Sequence, residues 1–140
     1  MKITGTDMDQ VNKNALYRAL GIRILEVGEG HARSELTPTD MVCWPFAGQP
    51  HGGIIYTLVD TTMAWAILTR LEQEHNCATI HMDIQYTAPA KGRRFTCAAK
   101  AVFQTARLHF MQAEVRDAEE RLVAMAQGTF RVIKAEMRRL

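Results

Sequence analysis

The chain has 140 residues, 47% of them hydrophobic and 23% charged, with 17 Lys and Arg against 15 Asp and Glu for a net charge of +2. That length supports one hydrophobic core and excludes two, so residues 1–140 are read as one domain. Basic residues cluster only at Lys91, Arg93 and Arg94 and at Arg138 and Arg139, which excludes the concentrated basic face that nucleic-acid binding needs.

Within an N-terminal helical segment of residues 1–20, Val11, Ala15, Leu16, Ala19 and Leu20 fall at helical spacing, with Asp7 or Asp9 as cap and Gly21 as stop. A short amphipathic helix over 7–20 is predicted, a lid or a plug. Alternation from Ile22 to Leu36 around Val27-Gly28-Glu29-Gly30 predicts two strands joined by a glycine-containing hairpin turn. Residues 37–50 hold three of the four prolines and no period. They form a loop whose Met41, Val42, Trp44 and Phe46 make it unusually apolar, as a loop is when it packs against a neighbour or lines a pocket.

The stretch 51–71, HGGIIYTLVDTTMAWAILTRL, runs without Gly or Pro after its first three residues and is apolar on nearly every side. It predicts a central helix enclosed by protein. The helix is the longest candidate for a membrane span, but it carries Asp60, Thr61, Thr62 and Arg70, so a core helix of a protein without a membrane partner is the better reading. Glu72 to Asn76 is a polar break. Strands are then predicted over 80–86, 95–103, 107–116 and 121–133, separated by the turn Ala88-Pro89-Ala90-Lys91-Gly92 and by Asp117-Ala118-Glu119-Glu120. Strands joined by hairpins around one long helix imply an α+β fold, an antiparallel sheet of five to six strands wrapped around that helix. One curved sheet covers only part of a helix, so the remaining apolar face predicts a homo-oligomer, a dimer or a dimer of dimers. The cysteines Cys43, Cys77 and Cys97 show no CxxC spacing, and no apolar run follows a basic start, which together predict a cytoplasmic location.

The chemistry concentrates on the central helix. At its start, His51-Gly52-Gly53 places unpaired N–H groups and the positive end of the helix dipole where glycine admits a ligand closely. On its own this motif fits a tight loop-to-helix turn better than an oxyanion hole. Asp60 is a carboxylate in the middle of an apolar helix, equally readable as a general base or nucleophile and as a hydrogen-bonded structural Asp. Gly52 and Asp60 lie eight residues apart, roughly 12 Å along the axis and about 80° around it. An attacking water and its carbonyl target sit about 3 Å apart, so the two residues serve one reaction only if each faces the other's counterpart in a second copy.

The stretches HGGIIYTLVDTTMAWA, TIHMDIQYTAPAKG and RLVAMAQGTFRVI together closely resemble the hotdog-fold acyl-CoA thioesterases of the phenylacetic-acid-degradation (PaaI-like) type, over Leu20 to Ile133. The resemblance implies a helix lying in a curved sheet, two subunits joined through their sheets, and hydrolysis of an acyl-CoA thioester at the interface. It implies Gly52 as oxyanion donor, His51 as orienter of the carbonyl, Asp60 as base or nucleophile and Thr79 as a hydroxyl that helps hold the water. Gly53, Gln49, Thr61, Arg93 and Arg94 are candidates for binding substrate. Many members carry Asn or Gln seven residues before the oxyanion glycine; here Pro45 stands there, and Gln49 is the only nearby amide.

Lys91, Arg93 and Arg94 suit CoA phosphates by charge, although solvated basic residues in a turn are the simpler reading. The histidines show no HxxxH spacing, so no metal and no bound cofactor are expected. Cys77 and Cys97 read as core residues, not nucleophiles. Trp44, Phe46, Tyr56 and Trp65 line either an acyl pocket or the core. The alternative to an enzyme is a non-catalytic acyl-CoA-binding or sensing module on the same fold, suggested by Pro45. A hydratase is disfavoured because His51 and Asp60, nine residues apart, fall on roughly opposite helix faces.

Overall fold

The computed structural model describes residues 5–44 and 48–135. Pro45, Phe46, Arg138 and Arg139 lie outside the described residues. Two short helices, α1 (Gly5–Val11) and α2 (Ala15–Leu20), precede the hairpin of β1 (Ile22–Gly28) and β2 (His31–Leu36). A single 3-10 turn at Asp40–Val42 leads to the long helix α3 (Gly52–Leu68). Four strands follow: β3 (His75–Tyr86), β4 (Phe95–Gln104), β5 (Leu108–Asp117) and β6 (Leu122–Lys134). All six strands join one antiparallel sheet in the order β1-β2-β4-β5-β6-β3, wrapped around α3, the hotdog arrangement that the sequence implied.

The helix lies against the sheet because small residues leave room for it. Ala32, Ala99, Ala113 and Ala126 stand opposite one another across β2, β4, β5 and β6, all buried, and form a continuous row of methyl groups. Gly128 continues the clearance on β6, where an added methyl would meet Met63 Sδ of α3 at 2.8 Å. Larger side chains flank this trough: Leu36, Phe95, Met111, Val115 and Phe130 pack with Ile55, Leu58, Val59, Met63 and Ile67 from the helix. Burial of such aliphatic and aromatic side chains contributes about 1.5–3 kcal/mol each. The core also holds hydroxyls that satisfy one another. Thr62 Oγ1 donates to the Leu58 carbonyl at 2.6 Å and lies 2.5 Å from Ser34 Oγ.

Several expectations shift in position. The single helix over 7–20 is two helices, because Asn14 caps α2 by accepting from the Leu16 and Tyr17 N–H groups. Asn12, in the break, pairs with β1 as a strand would: its amide donates to Ile24 O at 2.9 Å and accepts from Ile24 N at 2.8 Å. The N-terminal segment is therefore tied down instead of being a free lid, and Val11 is in the core. The central helix covers 52–68, not 51–71. The polar break ends early, since β3 begins at His75. The β1–β2 turn is Glu29-Gly30 with both φ positive (45° and 85°), the type I′ geometry that matches strand twist. Gly30 also lies under the Arg70 guanidinium, where a Cβ would sit 2.4 Å from Cζ. No described helix is long and apolar enough to cross a membrane.

Candidate active site

Helix α3 shows one face to the outside. Its buried residues are Ile55, Leu58, Val59, Thr62, Met63 and Trp65 to Leu68. Gly53, Tyr56, Thr57, Asp60, Thr61 and Ala64 are half-buried or exposed and follow one another along the opposite stripe. Asp60 therefore sits on the uncovered face, half-buried, and not in the closed core that its sequence context suggested.

A strand residue completes its surroundings. Thr79 Oγ1 donates to Asp60 Oδ1 at 2.6 Å, a short bond, and Oδ2 meets no donor among the described residues. Cys77, two residues earlier on the same strand, packs by its sulfur against the Ala64 carbonyl at 3.9 Å. Its thiol is pushed up to about 12, first by burial and then by the charge of Asp60. Cys97 is likewise raised to about 12 by burial. Both are neutral small side chains at physiological pH, in line with their reading as core residues rather than nucleophiles.

At the start of α3, His51 is the cap. Its Nδ1 accepts from Gly53 N–H at 2.9 Å, which fixes the neutral tautomer with its proton on Nε2. Gly53 is glycine for a local reason, because a Cβ would stand 3.0 Å from that nitrogen. The His51 ring stacks on Trp44, with centroids 5.1 Å apart and planes at 23°. Trp44 is held by a closed loop: Cys43 bridges Pro50, Trp44 N–H donates to Gln49 O at 2.6 Å, and His51 N–H donates to Val42 O at 2.9 Å. The apolar loop thus carries an aromatic to the helix start. Ile54 N–H turns back to His51 O, whereas Gly52 N–H meets no acceptor among the described residues. Tyr86, at the end of β3, donates its hydroxyl to Gly52 O at 2.7 Å. Its phenol pKa is raised by burial and then by Tyr56.

The candidate residues thus form two groups: His51, Gly52 and Gly53 at the helix start, and Asp60, Thr61 and Thr79 at its middle. Gln49 enters only through its backbone carbonyl. Arg94 forms an ion pair with Glu35 of β2 at 3.1 Å, while Arg93 is exposed without a described partner. Among the described residues there is no cluster of three His, Cys, Asp or Glu side chains that would hold a metal ion. Sequence reasoning missed Tyr86 and the bond from Trp65 Nε1 to Tyr17 Oη, at 2.9 Å. Tyr86 had a signal, as the last apolar position of the alternating strand; Tyr17 had none, because its contact spans 48 residues of chain.

Comparison with known proteins shows the family of the chain. Residues 48–124, which hold both groups, match the model of the thioesterase superfamily. Two archaeal relatives carry the name "Putative esterase". One, from Halobacterium salinarum, is 28% identical over 94% of this chain and 99% of its own length. The other, from Archaeoglobus fulgidus, is 30% identical over 86% of this chain and 77% of its own. Among solved structures, a thioesterase of Haemophilus influenzae superposes with a TM-score of 0.88 over 100% of this chain and 97% of its own, at 21% identity. The Escherichia coli PaaI protein of the phenylacetic acid degradation operon does so at 0.81 over 93% and 92%, at 23% identity. With its family model matched over more than half its length, the chain is an enzyme of the thioesterase superfamily.

Proposed function

We propose that this enzyme hydrolyses an acyl-CoA or aryl-acyl-CoA thioester to the free acid and CoA in the cytoplasm, at sites shared between two copies of the chain. The observation that carries this reading is Asp60 on the uncovered face of α3, with Thr79 on one carboxylate oxygen and no described residue donating to the other. Asp60 takes a proton from water as the water oxygen bonds to the thioester carbonyl carbon. The resulting oxyanion is held by Gly52 N–H, with the His51 Nε2 proton beside it. The intermediate collapses, the carbon–sulfur bond breaks, and the thiolate of CoA leaves and takes up a proton. The reaction so written uses no metal and no bound cofactor.

Two features support a second copy. Gly52 and Asp60 stand about 12 Å apart along one helix, too far to meet at one carbonyl. Among the described residues strand β3 pairs only with β6, and its free edge runs twelve residues with Ile80 57% and Tyr86 51% exposed. Long open edges pair with other strands, so β3 against β3 would extend the sheet and cover the stripe that bears Asp60. A dimer, or a dimer of such dimers, follows.

The test is release of free CoA thiol from a panel of acyl-CoA esters, with Asp60→Asn as control. The expected result is turnover by the natural protein and a loss of about a thousandfold or more in the folded variant. Full turnover by Asp60→Asn would overturn the mechanism. Stabilisation by acyl-CoA without turnover of any ester would instead favour the binding-module reading. Single-turnover hydrolysis in isotopically labelled water separates the two roles of Asp60, because only a nucleophilic carboxylate would acquire the label.

A further inference from the structure

The start of α3 carries one bond that the hydrolysis, as written above, does not use. Tyr86 Oη donates to Gly52 O at 2.7 Å, a contact across 34 residues of chain. The base of that side chain is held by the sheet: Tyr86 pairs with Ala124 of β6, Thr87 N–H donates to Val123 O at 3.0 Å, and Thr87 Oγ1 donates to Leu122 O at 2.8 Å. The ring lies against the helix start, since a Cβ added to Gly52 would sit 3.4 Å from its Cζ and its Oη. Burial and then Tyr56 raise the pKa of the phenol, so it is a neutral donor at physiological pH.

The carbonyl that receives this bond belongs to the same planar peptide as Gly53 N–H, and that N–H donates to His51 Nδ1 at 2.9 Å. One peptide unit is thus gripped by side chains at both ends, by a strand tyrosine at its oxygen and by the cap histidine at its nitrogen. The grip has work to do, because two glycines in succession open the helix and glycine leaves the backbone most freedom. The links also polarise one another. A donor on the Gly52 oxygen draws electron density from the peptide nitrogen and strengthens Gly53 N–H as a donor; that N–H draws density from Nδ1, and Nε2–H on the far side of the ring is strengthened in turn. Each bond in such a chain gains about 10–30% over the isolated bond.

We infer that Tyr86 is a positioning residue for the hydrolysis: through the Gly52–Gly53 peptide it orients and polarises His51, whose Nε2–H then faces the thioester carbonyl as a stronger donor. This rests on the proposed place of His51 beside the oxyanion, and Tyr86 itself needs no contact with substrate. The effect belongs to the transition state, where the carbonyl oxygen becomes negative, so its loss appears in kcat and not in KM.

The test measures kcat and KM of Tyr86→Phe, His51→Ala and the double variant on an acyl-CoA that the natural protein hydrolyses, together with amide hydrogen exchange of Gly53 N–H by NMR in each protein. Tyr86→Phe should lower kcat about fivefold with KM unchanged, the effect of one hydrogen bond passed on through a second. In the His51→Ala background the same change should cost nothing, because the group it acts through is gone. Gly53 N–H should exchange about fivefold faster in Tyr86→Phe, and no faster in the double variant than in His51→Ala. A merely structural Tyr86 would lower the melting temperature, speed exchange along the whole of α3 and cost the same factor in kcat with or without His51. That pattern, or an unchanged kcat in Tyr86→Phe, would overturn the inference. Exchange decides where His51→Ala is too slow to assay, and also where no ester is turned over and the proposed reaction itself fails: a rise confined to Gly53 that needs His51 upholds the link from Tyr86 to His51, and unchanged exchange overturns it.

Discussion

Thr79 holds Asp60 from across the helix–sheet boundary, its hydroxyl 2.6 Å from the carboxylate oxygen. The bond holds the carboxylate in place by one oxygen. Thr79→Val removes the donor at nearly constant volume, whereas Thr79→Ser keeps it. A partly solvated bond to a charged group contributes about 1.5 kcal/mol, so Thr79→Val should lower kcat about tenfold and Thr79→Ser should restore most of it. Steady-state kinetics on both variants check this; unchanged kcat in Thr79→Val would show the bond to be irrelevant to the reaction.

The stack of Trp44 on His51 fixes the plane of the ring whose Nδ1 is already bonded to Gly53 N–H. Removing the stack in Trp44→Ala should cost about 1 kcal/mol of orientation, several-fold in kcat/KM, with Trp44→Phe close to the natural enzyme. Gly53→Ala brings a methyl 3.0 Å from His51 Nδ1 and should lower activity at least as much, with little change in melting temperature. Kinetics and thermal melts on the three variants separate ring placement from folding.

The alanine trough predicts where the fold is least tolerant. In Gly128→Ala the new methyl meets Met63 Sδ at 2.8 Å and Phe130 Cε2 at 3.1 Å, and both side chains are fully enclosed. Overpacking of this kind costs about 1–3 kcal/mol, which should appear as a clear drop in unfolding midpoint in urea. No loss of stability would mean that the helix has room to move away from β6.

His109 faces the core from β5, 3% exposed, and its Nδ1 has no partner among the described residues. Burial, and then the Arg70 charge, lower its pKa below the ordinary 6.5. Between that value and the lowered one the unfolded chain binds more protons than the folded one. Its contribution to stability is therefore complete above about pH 6.5 and is lost as pH falls through the lowered value. Melting temperature measured from pH 8 to pH 5 should fall on the acid side, and His109→Phe should flatten that slope. An equal acid slope in the variant would assign it to other groups.

Much of this was legible from local pattern, for physical reasons that particular residues illustrate. His51-Gly52-Gly53 and the apolar run after it announced a long helix starting there, although neither the His51 cap nor the uncovered face was read from it, and alternation with turn residues announced the strands. Thr79 was named by resemblance, but its bond to Asp60 depends on the bulge between Thr79 and His81 in β3, which no local pattern encodes. The break at Asn12–Asn14 was missed because Asn12 finds its partner in Ile24, twelve residues away. Tyr17 was invisible for the same reason, as its value lies in contacts that only the fold creates. Asp60 appeared buried from its neighbours in sequence, yet the sheet leaves its face open, and the proposed second copy would cover it.

The shared site is tested most directly by complementation. Gly52→Pro removes the N–H at the first helical position, which proline suits and where an added Cβ meets Tyr86 at an ordinary 3.4 Å, and Asp60→Asn removes the base. Each variant alone should be inactive. Mixed, with exchange confirmed by mass, they should recover about a quarter of natural activity, because half the dimers are then mixed and each of these holds one intact site. Two inactive variants that exchange subunits and stay inactive would contradict a site built from two copies of the chain.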